Sequence, residues 1–240
     1  MDNIREYGYW RGIDMADPLV NKYIQALYDA DILEFDTEVI GPVIDKLKAM
    51  NLYDKTIIII CSDHGEEFYE HGHVNHGRTL YDEVTHVPLI IHVPWIKNGK
   101  RIKELTQTVD IMPTIFDLLG IPVPHEAQGK SLASLISGRK SSSLRDYVFG
   151  RLSTTKISSI RSREWLFILH DNGRRELYHI RSDPREQKDV YSKNQGNALK
   201  LESELKKWED SLVSYKDQEY SFSPEIDDEI QERIKKTGYW

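Results

Sequence analysis

Two apolar runs flanking a histidine-rich loop, and a later series of short β-type runs broken by turn signals, predict an α/β protein. The first run is Ile57-Ile58-Ile59-Ile60-Cys61. Four adjacent isoleucines and a cysteine read as a strand buried on both faces, the habit of parallel sheets. The second run, Val87 to Val93, is a strand with Pro88 near its start and Pro94 at its end. Serines at 131, 134, 137 and 141–143, with Gly138, mark a boundary. Beyond it, β-type runs at 146–150, 156–161, 164–169 and 175–179 predict a small antiparallel sheet. The expected architecture is a mostly parallel sheet flanked by helices over residues 1–138. A small α+β subdomain follows over 139–215, and a polar tail over 216–240.

Each element has its own local signal. Residues 1–16 are aromatic and irregular. Val20, Ile24, Leu27, Phe35, Ile40, Ile44 and Leu47 then keep mostly helical spacing. Pro42 has no amide hydrogen, so a kink or break is expected near Gly41-Pro42. A strand over 56–61, a loop over 62–80 and a strand over 87–93 follow. Asn98-Gly99 is a turn. Asp110 caps a helix that ends at Gly120. Asp171-Asn172-Gly173 is a hairpin turn. Leu201, Leu205, Trp208 and Leu212 form the apolar stripe of a helix over 197–214, and a short helix is expected at 225–236.

Composition narrows the function. At 240 residues the chain is long enough to bury a real core. With 39% hydrophobic and 30% charged residues it is globular rather than disordered. A net charge of −7 without a dense Lys/Arg block argues against a nucleic-acid partner. One cysteine excludes an intrachain disulfide framework. No apolar run of about 18 residues is present, and Met1-Asp2-Asn3-Ile4-Arg5 is not a signal peptide. No membrane association is expected, and a cytoplasmic location follows if Met1 is the true start.

The chemistry concentrates where the first strand ends, in Ser62-Asp63-His64-Gly65-Glu66-Glu67. Open α/β sheets bind ligands at the carboxyl ends of their strands. Asp63 offers a hard oxygen and His64 an imidazole nitrogen, which together suit a divalent cation. Taken alone, the dipeptide favours the plainer reading of an Asp that caps a loop beside a polar His. Gly65 is expected to let the backbone turn sharply there, and Glu66 and Glu67 to orient His64. His71 and His73 are expected to shape a pocket entrance, and His86 and His92 to satisfy structural hydrogen bonds. Tyr28, Tyr81, Trp165 and Tyr178 read as core, and Cys61 as a small hydrophobe.

Several ordered stretches resemble the sulfatase family of the alkaline phosphatase superfamily. They are the strand with Ser62-Asp63-His64-Gly65-Glu66, then Glu70-His71-Gly72, Thr79-Leu80-Tyr81-Asp82-Glu83, and Val87-Pro88-Leu89-Ile90. Tyr28-Asp29-Ala30-Asp31 to Leu47 resembles the helix before the metal strand. Val109 to Thr114, Leu118 to Ile121, and Gly129-Lys130-Ser131-Leu132 resemble the helix and loop after it. Glu176-Leu177-Tyr178, Asp183-Pro184-Arg185-Glu186 and Ile234 to Tyr239 resemble the family's C-terminal part.

The resemblance implies the C-terminal part of an alkaline-phosphatase-like α/β domain with its small antiparallel subdomain. It implies that Asp63 and His64 bind the active-site cation, most often calcium, with manganese, magnesium or zinc as alternatives. Many relatives place a basic residue before Thr-Leu-Tyr to contact the ester's anionic oxygens, often a lysine where this chain has Gly77. His76 is its expected substitute, with Arg78 as a second catalytic candidate. The family's nucleophile motif, Cys/Ser-x-Pro/Ala-x-Arg, and its N-terminal aspartate pair do not occur in these 240 residues.

The leading expectation is therefore part of a metal-dependent sulfuric ester hydrolase, with the nucleophile elsewhere and the isolated chain inactive. A phosphodiesterase, phosphonate hydrolase or phosphoglycerol transferase of the same superfamily is the second reading. A catalytically inactive module that binds metal or a partner is the third. The expected partners are a sulfate or phosphate ester, the missing N-terminal half, and a second copy through an exposed sheet edge.

Overall fold

A computed structural model describes residues 12–125, 127–139 and 144–212. The described residues fall in two compact units, one ending at Lys206 and the other beginning at Lys207. The expected tail and the helix at 225–236 lie outside the described residues.

Helix α1 (Pro18–Phe35) starts where the Asp17 side chain accepts the Leu19 amide hydrogen, with proline in its first turn. The expected break before Pro42 takes a definite form. Asp36–Ile40 is a π-helical turn, and the Gly41 amide bonds back to the Asp36 carbonyl. Pro42 cannot donate to the previous turn, and the wider π turn absorbs the missing bond. The helix then resumes as α2 (Gly41–Ala49).

Strand β1 (Ile58–Cys61) leads into the histidine loop, where β2 (Glu67–Phe68) and β3 (Val74–Asn75) form a small antiparallel hairpin. A single-turn helix α3 (Asp82–Thr85) precedes β4 (Leu89–His92). Strands β1 and β4 pair antiparallel, Ile58 opposite His92 and Cys61 opposite Leu89. This differs from the parallel reading of the isoleucine run. A parallel return needs a crossover, usually a helix of several turns, whereas 62–88 holds only a hairpin and one helical turn. Nor are both strand faces covered within the described residues. All four β1 residues are only half-buried, and Ile90 of β4 is 59% exposed.

A 3₁₀ turn (Thr108–Asp110) opens α4 (Ile111–Leu118), which ends at Gly120 in the left-handed region, as expected. Asp110 does more than cap that turn. Its fully buried carboxylate accepts amide hydrogens from Gln107 and Lys130, each at 2.8 Å. It also pairs with both terminal nitrogens of Arg145. The Gly129 backbone runs against the Val109 carbonyl, and a Cβ there would stand 2.0 Å from that oxygen. Helix α5 (Ala133–Ile136) follows.

The small antiparallel sheet is present, in the order β5 (Val148–Leu152), β6 (Ile157–Arg161), β7 (Trp165–Leu169) and β8 (Arg175–His179). Gly173, at a φ of 82°, closes the hairpin between β7 and β8. Ile157, Leu166, Ile168 and Tyr178 of this sheet pack with Leu80 and Tyr81 from the segment after the histidine loop. Helix α6 (Gln195–Ser211) buries Ala198, Leu201 and Leu205. Trp208 and Leu212 of the expected stripe are half-buried.

Arg145→Ala strands the Asp110 charge in the interior. Removing one partner of a buried pair costs about 3–5 kcal/mol, so urea unfolding of the variant is expected to lose about that much. A loss under about 1 kcal/mol would mean that the two backbone donors suffice.

Candidate metal centre

The Asp-His pair stands at the end of β1 because the chain is pinned on both sides of it. The Ser62 hydroxyl bonds the His64 carbonyl at 2.6 Å, and the Gly65 amide bonds the Val84 carbonyl at 2.8 Å. Gly65 is needed for close approach rather than for a sharp turn. Its φ is not in the left-handed region, but a Cβ would stand 1.9 Å from the Glu83 carbonyl oxygen.

His64 Nδ1 lies 2.9 Å from the Gly65 carbonyl, which can only accept. Nδ1 therefore carries the hydrogen, and Nε2 is left with its lone pair. That Nε2 is 3.7 Å from Asp63 Oδ2, a separation that two donors to one ion can span. Asp63 is 71% exposed at its side chain and His64 32%, so the pair is open to solvent. The His76 ring stacks on His64 with centroids 3.6 Å apart. Asn75 and Gly77, on either side of His76, both have positive φ, which turns the backbone sharply at this point. His76 Nδ1 is 3.3 Å from Glu66 Oε2, and Glu66 Oε1 is buried without a hydrogen-bond partner among the described residues. One ligand atom each of His64, Glu66 and His76 lies within 4.8 Å of the others. An orphaned carboxylate oxygen beside two imidazoles and an open aspartate fits a divalent cation.

Three of the four sequence-predicted site residues, Asp63, His64 and His76, thus come together. Arg78 is half-buried, and its charge falls on His73. Burial, helped by that charge, lowers the proton affinity of His73. Neither Glu66 nor Glu67 makes the expected orienting hydrogen bond to His64, whose Nδ1 is held by the Gly65 carbonyl instead. Glu66 lies beside His64 but bonds His76, and Glu67, at 1% exposure, turns into the interior with neither oxygen hydrogen-bonded among the described residues. His92 stacks on Tyr53 at 4.4 Å, but its Nε2 is buried without a hydrogen-bond partner among the described residues.

His71 does not sit at an entrance. It stacks on Tyr81 at 3.7 Å, with Nδ1 2.5 Å from Glu83 Oε1 and Nε2 2.9 Å from the Glu186 carbonyl. Burial opposes its charge, but the bond to Glu83, the Glu186 carbonyl and the two nearby carboxylates raise it to about 9. Burial pushes Glu67 up to about 7. The nearby Thr79 hydroxyl and His71 draw it down, and Glu83 and Glu70 push it further up. Glu176 is desolvated too, yet it stays below the ordinary carboxylate range. The Tyr178 and Tyr81 hydroxyls donate to it at 2.6 and 2.7 Å, with His170 and Arg174 alongside.

Residues 69–212 match the family model described as N-sulphoglucosamine sulphohydrolase, C-terminal. Residues 11–121 match the model described as Sulfatase. Human arylsulfatase K is 30% identical over 207 residues, 81% of this chain and 38% of that protein. The chain thus spans about two-fifths of the length of this curated relative. The structure of BT4656 in complex with its substrate D-glucosamine-2-N,6-O-disulfate is similar with a TM-score of 0.65 and 29% identity. It covers 75% of this chain and 40% of that one. The phosphonate monoester hydrolase of Agrobacterium radiobacter is similar with a TM-score of 0.67 and 26% identity, covering 79% and 41%.

Both raised groups carry a sign. The folded state binds the His71 proton more tightly than the unfolded chain does. Its stabilisation is complete below about pH 6.5 and is lost as pH rises towards about 9. Glu67 acts in the same direction between about pH 4.5 and 7. In chelator-containing buffer the melting temperature is therefore expected to fall from pH 6.5 to 9, and His71→Gln to flatten that fall. A profile that rises over this window contradicts the ion pair. Gly65→Ala is expected to destabilise by more than about 1 kcal/mol, since strain of this kind is costly; an unchanged denaturation midpoint would refute the close approach.

Proposed function

The chain belongs to the sulfatase family, a family of sulfuric ester hydrolases, and we propose that it supplies the metal wall of such an enzyme's active site. One observation carries the reading. At the end of β1, the Gly65 carbonyl fixes the His64 tautomer that leaves Nε2 open beside the Asp63 carboxylate. Asp63 and His64 hold the ion, which we take to be calcium, with manganese, magnesium or zinc as alternatives. A bound divalent ion supplies Lewis-acid polarisation of the ester oxygen.

The protein's own groups do the rest. The Glu66 carboxylate orients the His76 ring, which lies against His64 where an anionic oxygen would be held. Arg78 adds positive charge to the same loop. No residue run in the sequence fits the nucleophile motif, so the attacking group and the remaining metal aspartates come from outside these 240 residues. The isolated chain then binds the ion without turning over an ester. The face that receives the rest of the enzyme includes Leu19, Tyr23, Leu27 and Phe35 of α1, which are between 46% and 79% exposed. Among the described residues strands β1 and β4 each have one neighbour, and their open edges belong to the same face or, failing a partner, to self-association.

The substrate named for BT4656 and the name of the matching family model make a sulfated amino sugar the first substrate class. A phosphonate monoester is the second, favoured by the likeness to the Agrobacterium enzyme.

Calorimetric titration of the metal-free 240-residue chain with Ca²⁺ tests the site. Disturbing even an outer partner of a metal ligand costs about 10–100-fold in affinity. Asp63→Asn and His64→Ala are each expected to weaken binding by at least about tenfold. Unchanged affinity in both variants sinks the assignment. Sulfate-ester turnover by the chain alone would overturn the placement of the nucleophile outside it.

A further inference from the structure

Three more metal-binding side chains converge away from the Asp63–His64 pair: Glu67 on β2, His71 in the turn after it, and Glu83 on α3. One ligand atom of each lies within 4.8 Å of the other two. All are buried or nearly so, Glu67 at 1% exposure and the His71 and Glu83 side chains at 10% and 16%. Glu67 is the informative member, because both of its oxygens are buried and neither has a hydrogen-bond partner among the described residues. The Thr79 hydroxyl is near it, but no hydrogen bond is made and that hydroxyl is itself without a partner among the described residues. A buried carboxylate so poorly partnered is costly, and native proteins pair such groups or give them a cation.

The histidine is already prepared. Its Nε2 is 2.9 Å from the Glu186 carbonyl, an acceptor only, so Nε2 bears a hydrogen. Nδ1, facing Glu83, is then the nitrogen available to an ion. A backbone carbonyl that fixes the tautomer of a histidine in this way is the usual outer support of a metal ligand. The charges also match. Two carboxylates with a neutral imidazole carry two negative charges, and one divalent ion cancels both.

We propose that Glu67, His71 and Glu83 form a second divalent-metal site, separate from the Asp63–His64 centre, built for a structural ion of the Zn²⁺ type. One imidazole nitrogen and two carboxylates suit a borderline metal better than the all-oxygen shell of calcium. On binding, the ion takes the place of the proton between His71 Nδ1 and Glu83 and of any proton on Glu67, and these protons go to solvent. The ion ties the β2–β3 hairpin to α3, and through His71 to the Glu186 carbonyl.

The test uses the 240-residue chain, stripped with chelator, loaded with Zn²⁺ and freed of excess metal by gel filtration. Bound zinc per chain and the zinc-dependent rise in melting temperature are the two readouts. Glu67→Gln is nearly isosteric and removes a buried charge, so it keeps the fold. It is expected to lose one equivalent of zinc together with the rise, and Glu83→Gln to do the same. His64→Ala is expected to keep the rise. If wild type holds one equivalent that Glu67→Gln loses and His64→Ala keeps, this site stands even though the Asp63–His64 centre takes no zinc. If Glu67→Gln matches wild type in both readouts, or if His64→Ala abolishes all binding and the rise, the proposal is overturned. A wild type with no zinc-dependent rise means that the cluster holds a proton only, and overturns it equally.

Discussion

The loop that presents the proposed metal ligands depends on one buried residue far along the chain. Glu186 is fully buried, and its carboxylate takes the Asp82 amide at 2.9 Å and the Arg161 guanidinium at 2.8 Å. Its carbonyl takes His71 Nε2. Burial raises the proton affinity of Glu186, and the Asp82 amide and Arg161 only partly offset this. A network of this kind adds little net stability, and breaking one partner is expensive. We read its use here as positional. It anchors the start of α3 and the histidine turn to the small sheet, and α3 in turn carries the Glu83 and Val84 carbonyls against which Gly65 lies. His64 adjoins that glycine and Asp63 precedes His64, so the geometry of the proposed cation site depends on Glu186, far along the chain.

Much of this was legible in the sequence, for reasons that differ by element. The four strands of the small sheet announce themselves by short β-type runs between turn residues, and Asn172-Gly173 fixes one hairpin outright. Asp63 and His64 were legible because an apolar strand that stops at a charged pair is a local signal. The antiparallel pairing of β1 with β4 was not, since an isoleucine-rich run reports burial and says nothing of direction. The β2–β3 hairpin has two residues per strand, too few for a period to show. Glu66 and His76 are ten residues apart, and only the hairpin between them brings the two together. The roles of Glu67 and His71 depend on Glu83 and Glu186, and no spacing rule connects positions so far apart.

On the proposed function, the solvent-open Asp63–His64 pair and the apolar flank of α1 call for the same kind of completion. The α1 side chains stand in water at a hydrophobic cost that covering would relieve. As proposed ion ligands, Asp63 and His64 leave room for further ligands from elsewhere. The proposed covering partner, bringing aspartates and a nucleophile, would satisfy both at once. An inactive binding module would account for the proposed metal site and leave the apolar flank unexplained unless its own partner covers the same face.

The proposed function stands or falls with a divalent ion on Asp63 and His64. Crystals of the chain grown with Mn²⁺ and measured at the manganese absorption edge are the first test. An anomalous peak is expected within bonding distance of both the Asp63 carboxylate and His64 Nε2. A map with no peak there, from crystals in which the ion is bound at other positions, would contradict it.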